Sequence, residues 1–179
     1  MSNPAPDQLE LVRAFVNTYD HEDGTEQLTD TATLTAWLGD HGLGAPVATA
    51  RDLERARELR EALRAVLQHH GGLELDPAAP RAVDHAAERA KLSVAFDDHG
   101  DARIEPKASG VDGALGRLLV VIADAQRDGT WSRLKACAAE DCQYAFYDRS
   151  RNRSAVWCDM KVCGNRQKVR SFRSRHTHA

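Results

Sequence analysis

At 179 residues the chain is long enough to bury a core and permits one domain with a small appendage. With 42% hydrophobic and 28% charged residues it is neither fibrous nor disordered, and its longest apolar run, Leu118 to Ala123, falls far short of the roughly 20 residues that span a bilayer. The net charge of -3 conceals a division: Arg133 to Ala179 carries 11 Lys and Arg against 4 Asp and Glu, a net of +7, leaving 13 against 23 upstream, a net of -10. A basic module follows an acidic body. The opening segment MSNPAPDQLELVRAF has no basic n-region and no apolar run of signal-peptide length, so a cytoplasmic location is expected. In that reducing setting clustered cysteines are metal ligands rather than disulfides.

In chain order, Leu9, Val12, Val16 and Tyr19 recur at helical spacing and predict a first amphipathic helix over 9–19. Leu34, Trp37 and Leu38 predict a second over 31–40, broken by Gly39, Gly42 and Gly44. A long helix is expected over 50–70, with Leu53, Leu59, Leu63, Val66 and Leu67 buried and the arginines largely outside the stripe. Thr49 is its N-cap and Asp52 its capping-box partner, with Gly71 and Gly72 ending it. Residues 82–92 read as a further helix, and 92–96 and 102–105 as a hairpin turning at 97–101. A last helix over 111–127 carries Leu115, Leu118, Leu119 and Ile122 inward, Gly129 closes it, and 131–135 reads as a short bridge. The expected fold is mainly α with a small β-hairpin: an acidic helical domain over 1–130, then a compact four-cysteine zinc finger over 131–179.

Four residues separate Cys137 from Cys142, fifteen separate Cys142 from Cys158, and four separate Cys158 from Cys163. Two close cysteine pairs around one loop are what a tetrahedral zinc needs, since each knuckle supplies two thiolate corners. Iron–sulfur and redox thiols are the alternatives. A catalytic zinc is disfavoured because four thiolates leave no open position, and no nucleophile–base motif or phosphate loop is present. One structural zinc per chain and no enzymatic activity are therefore expected.

The segment CAAEDCQYAFYDRSRNRSAVWCDMKVCGNRQKVRSFRSR closely resembles the CGNR zinc-finger family, whose signature stands here as Cys163, Gly164, Asn165 and Arg166. The two cysteine pairs, Phe146-Tyr147-Asp148, Arg151-Asn152 and Trp157-Cys158-Asp159-Met160 carry the likeness. Upstream, Phe15-Val16-Asn17-Thr18, Trp37-Leu38 and Leu59-Arg60-Glu61-Ala62-Leu63 resemble the ABATE domain that precedes this finger. The resemblance implies a transcription regulator. Where many relatives carry basic residues before the Trp-Cys pair, this chain has Ala155 and Val156.

In a helix starting near Gly164, Arg166, Arg170 and Arg173 fall within about 60° of one another, away from Val162, Val169 and Phe172. Lys168 and Arg175 extend the basic run, and Arg149, Arg151 and Arg153 form a second cluster between the knuckles. All eight are candidate nucleic-acid contacts. Each feature also has a plainer reading. Trp157, Phe146 and Tyr147 suit a small core over the metal, Asn165 and Arg166 could support the thiolates, Asn17 reads as a satisfied buried amide, and His176 and His178 as a terminal tail. DNA is the first expected partner, with RNA or an acidic protein docked by the finger as alternatives. No membrane partner is expected. The acidic domain is free to dimerise or to sense a small molecule, and no residue pattern identifies an effector.

Overall fold

The computed structural model describes residues 4–6 and 8–176, the side chains of 171, 172 and 174–176 excepted. Helix α1 (Leu9–Val16) ends short of Tyr19 because Asn17 leaves the helix to bond elsewhere. Tyr19–Asp20 (β1) and Thr25–Glu26 (β2) then pair antiparallel across a loop in which the Asp20 carboxylate accepts from the amides of Glu22 and Asp23. Helices α2 (Thr31–Asp40) and α3 (Ala50–His70) both begin at capping boxes, Asp30 with Thr33 and Thr49 with Asp52. Each box satisfies amides that the first helical turn leaves unpaired. Helix α4 (Ala78–Ala90) starts four residues before the expected Ala82, since Asp76 accepts from the Ala78 amide and Pro80 sits in the first turn, where its missing N–H costs nothing.

β3 (Leu92–Phe96) and β4 (Ala102–Pro106) form the expected hairpin, followed by α5 (Gly110–Arg127). A Cβ at Gly116 would stand 2.6 Å from that of Ala90 and 2.9 Å from that of Pro106. The glycine therefore lets α4 and the hairpin base close onto α5. One helical turn (Trp131–Arg133), β5 (Leu134–Ala136), β6 (Ala145–Tyr147), a π-helical turn (Met160–Gly164) and α6 (Asn165–His176) complete the described residues. The architecture is mainly α, as the pattern implies, with three two-stranded ladders among the described residues where the pattern shows one.

The main core gathers Phe15, Leu38, Leu59, Leu63 and Leu118, but it does not stop at α5: Trp131, Leu134, Ala136, Ala145 and Tyr147 belong to it. Residues 131–135, bridge-like in sequence, are packed against α3 and α5. Two arginines expected outside the α3 stripe are buried instead, Arg60 at 4% and Arg64 at 2% exposure. They lie inside because carbonyls and carboxylates await them. Arg64 donates to the carbonyls of Val16, Tyr19 and Gln143, and Arg60 makes a two-point contact with Glu26. Arg64 thus ties α1, β1 and the cysteine module to one side chain.

Candidate metal centre and its basic surroundings

The first knuckle hangs from the end of β5. Cys137 follows Ala136, its amide bonds the Tyr144 carbonyl, and the turn between them returns at Cys142, whose amide bonds the Ala139 carbonyl. Gln143 takes a left-handed conformation to leave the turn. The second knuckle supplies Cys158 and Cys163, with the Asp159 carboxylate accepting from the amides of Lys161 and Val162 to start the π-helical turn that carries Cys163 inward. Gly164 has no positive φ; its role is close packing. A Cβ there would lie 2.5 Å from the Met160 sulfur and 3.2 Å from the Trp157 ring.

The four sulfurs lie within 4.8 Å of one another, with Cys142–Cys158 and Cys158–Cys163 both at 3.6 Å. A tetrahedron with metal–sulfur bonds of about 2.3 Å has edges of about 3.8 Å, so the cluster fits one zinc and none of its pairs is a disulfide. Electrostatics inside the cluster point the same way. Hydrogen bonds from Cys142 and then Cys158 pull the Cys137 thiol down to about 2, while Cys137 in turn pushes Cys142 up to about 12 and Cys158 up as well. Without a cation one thiolate forms at its neighbours' expense; a dication lets all four ionise. Trp157 and Tyr144 pack against the cluster.

Phe146 is buried on β6, and Tyr147 joins the main core rather than a separate finger core. Asn17 makes a two-way bond with Ala145, its amide donating to the carbonyl at 2.9 Å and its carbonyl accepting from the backbone N–H at 2.7 Å. It is a satisfied buried amide. His70 also reaches across, its Nδ1 2.8 Å from the Leu134 carbonyl.

Lys135 carries no signal in sequence and Asp148 stands out there only as part of the family likeness, yet the two shape the loop between the knuckles. The Lys135 ammonium is buried and donates to the Asp148 carboxylate at 2.8 Å and to the carbonyls of Arg153 and Ala155. Asp148 in turn accepts from the amides of Ser150 and Ala155. Burial pushes its carboxyl up, but hydrogen bonds from Lys135 and Ser150 outweigh that and hold it below the usual carboxylate range. The loop is wound on this pair, which leaves Arg151 and Arg153 exposed. Arg149 donates to the Pro4 carbonyl at 3.0 Å.

The helical stripe is not uniform. Arg166 bonds Glu22 at 2.7 Å and the Cys163 sulfur at 3.3 Å, with Asp141 at 3.5 Å, and Arg170 pairs with Asp141 at 2.7 Å. Arg166 therefore supports a thiolate while reaching the β1–β2 loop. Asn165 is exposed on the first residue of α6, and Lys168 and Arg173 are exposed farther along it. The Arg175 side chain and residue 178 lie outside the described residues, as does the side chain of His176. Among the described residues, Arg151, Arg153, Lys161 and Lys168 are exposed and make no ion pair. Among the described residues, no helix is long and apolar enough to cross a membrane.

A search of curated proteins finds no match. Family comparison matches residues 133–176 to the CGNR zinc finger and residues 9–140 to ABATE, described as "Putative stress-induced transcription regulator". The two matches overlap on 133–140, the stretch where β5 runs from the main core into the first cysteine. Because the ABATE match alone spans well over half of the sequence, the chain belongs to the ABATE family and ends in a CGNR zinc finger.

Proposed function

We propose that this chain is a non-catalytic, cytoplasmic transcription regulator that binds duplex DNA through the basic surface around its zinc. The observation that carries this reading is the placement of charge: among the described residues Arg151, Arg153, Lys161 and Lys168 are exposed and make no ion pair, the two arginines in the loop between the cysteine pairs and the two lysines within and just after the second pair, while the body is acidic. A cation surface fixed by a metal neutralises phosphates without the entropy cost of ordering a flexible tail. Four thiolates leave zinc no site for substrate, so the metal holds structure. Arg149 and Arg173 extend the surface, Arg175 continues it in sequence, and Arg166 and Arg170 border it through the acidic side chains they hold.

The test is binding of zinc-loaded protein to a mixed-sequence duplex by fluorescence anisotropy across salt. The triple variant Arg151→Ala, Arg153→Ala, Lys168→Ala is expected to weaken binding to all sequences alike and to lower the salt slope by about one unit for each phosphate no longer neutralised. Structured RNA in competition reports the alternative polymer. If neither polymer binds, the exposed Met160, Val162 and Val169 beside the cluster favour a protein-docking role for the finger.

A further inference from the structure

The β3–β4 hairpin presents two edges of unlike character. Bonds between Lys91 and Lys107 and between Asp97 and Asp101 close its two ends. Antiparallel alternation then makes Ser93 with Glu105 and Ala95 with Arg103 the bonded pairs, so Leu92, Val94 and Phe96 turn their N–H and C=O groups away from β4. Pro106, which has no N–H, falls in a non-bonded pair, as this register requires. The β4 edge is guarded by that proline and by Arg103, Glu105 and Lys107. β3 reads Leu-Ser-Val-Ala-Phe, with no charge and no proline, and leaves Val94 63% and Phe96 68% exposed. Unprotected edges of this kind are templates for another strand.

We infer that the β3 edge pairs with β3 of a second copy of this chain, antiparallel about a twofold axis at Val94, giving a four-stranded sheet across the dimer. The sequence suits itself in this register. Val94 meets Val94, Leu92 meets Phe96, and the apolar face of each hairpin continues into the other. Lys91 of each copy comes beside Asp97 of its mate, and Asp97 is held charged because the amides of Asp101 and His99 donate to it. Shifting the register by two residues sets Lys91 against His99 and loses that complementarity. The twofold makes the contact closed, so pairing stops at two chains.

Sedimentation of the full zinc-loaded chain from about 1 to about 200 µM tests this, a range set by the micromolar affinity of small interfaces. Reversible dimerisation is expected. Val94→Lys and Phe96→Ser, both at exposed positions, should raise the dissociation constant at least tenfold with circular dichroism and zinc content unchanged. Lys91→Glu, which sets a carboxylate beside Asp97 of the mate, should raise it about threefold, whereas Ala102→Lys on the β4 edge should leave it alone. A wild-type chain that is monomeric throughout overturns the inference, whether its edge is bare or taken by another protein's strand. So does a dimer indifferent to both Val94→Lys and Phe96→Ser.

Discussion

The helical body and the cysteine module reach order by different routes. α2 and α3 are punctuated by capping boxes and hold a core of leucines and Phe15, so the body is stabilised mainly by apolar burial. Among the described residues, the cysteine module from Val156 onward has little apolar interior beyond the thiol cluster and Trp157, and its backbone is shaped by a metal site and the Asp159 cap. Between them, β5 and β6 belong to both: Leu134, Ala136, Ala145 and Tyr147 pack in the main core, while Cys137 and Cys142 lie on the turn that joins the two strands. The line between the two kinds of stabilisation therefore runs through the finger, after β6. Small modules commonly depend on metal in this way.

The largest expected effect breaks the module and spares the body. Cys158→Ser or Cys163→Ser should abolish zinc binding, since structural zinc contributes on the order of 10 kcal/mol to folding. Trp157 near-ultraviolet dichroism should collapse while far-ultraviolet helicity changes little. Acid should act in the same direction, because ligand thiolates must lose their protons to bind metal; zinc release is expected to rise as pH falls, read by a chromogenic chelator.

Next comes the buried pair that winds the inter-knuckle loop. Lys135→Met should cost about 3 to 5 kcal/mol in denaturant unfolding, because it leaves the Asp148 carboxylate buried and unpaired. Asp148 has its folded pKa lowered, so its contribution is complete above the unfolded carboxylate value of about 4 and is lost as pH falls through the lower folded value. Asp148→Asn should accordingly flatten the acid limb of stability against pH. A smaller change tests the shared strands: Asn17→Ala removes both bonds to Ala145 and should cost about 2 kcal/mol. The smallest effect belongs to the Arg166–Glu22 ion pair, whose side chains are 28% and 43% exposed. Glu22→Gln should change stability by less than about 1 kcal/mol. A drop of several would mean that charge, and not the shared core, holds module to body.

Caps and periodicity made α2, α3 and α5 legible in sequence, and the cysteine spacing made the metal ligands legible, because both signals are local. β5 and β6 were not, since three-residue strands carry no periodicity and their burial comes from α3 and α1, far away in sequence. Arg60, Arg64 and Lys135 read as surface cations; nothing local shows that Glu26, three carbonyls and Asp148 enclose them. Helical spacing places Arg166 and Arg170 on one face correctly, but Glu22 lies 144 positions away from Arg166, so its bond to that arginine could not be read from that spacing.

Hydrogen exchange of the full chain, with zinc and after chelation, tests most directly where stabilisation by the core gives way to stabilisation by the metal. Chelation is predicted to strip protection from residues 156–170 and from the turn between Cys137 and Cys142, while amides of 134–136 and 145–147 stay protected with those of α3 and α5. Loss of protection across 134–147 together with 156–170 would contradict the account, and so would a chain whose exchange is the same with and without the metal.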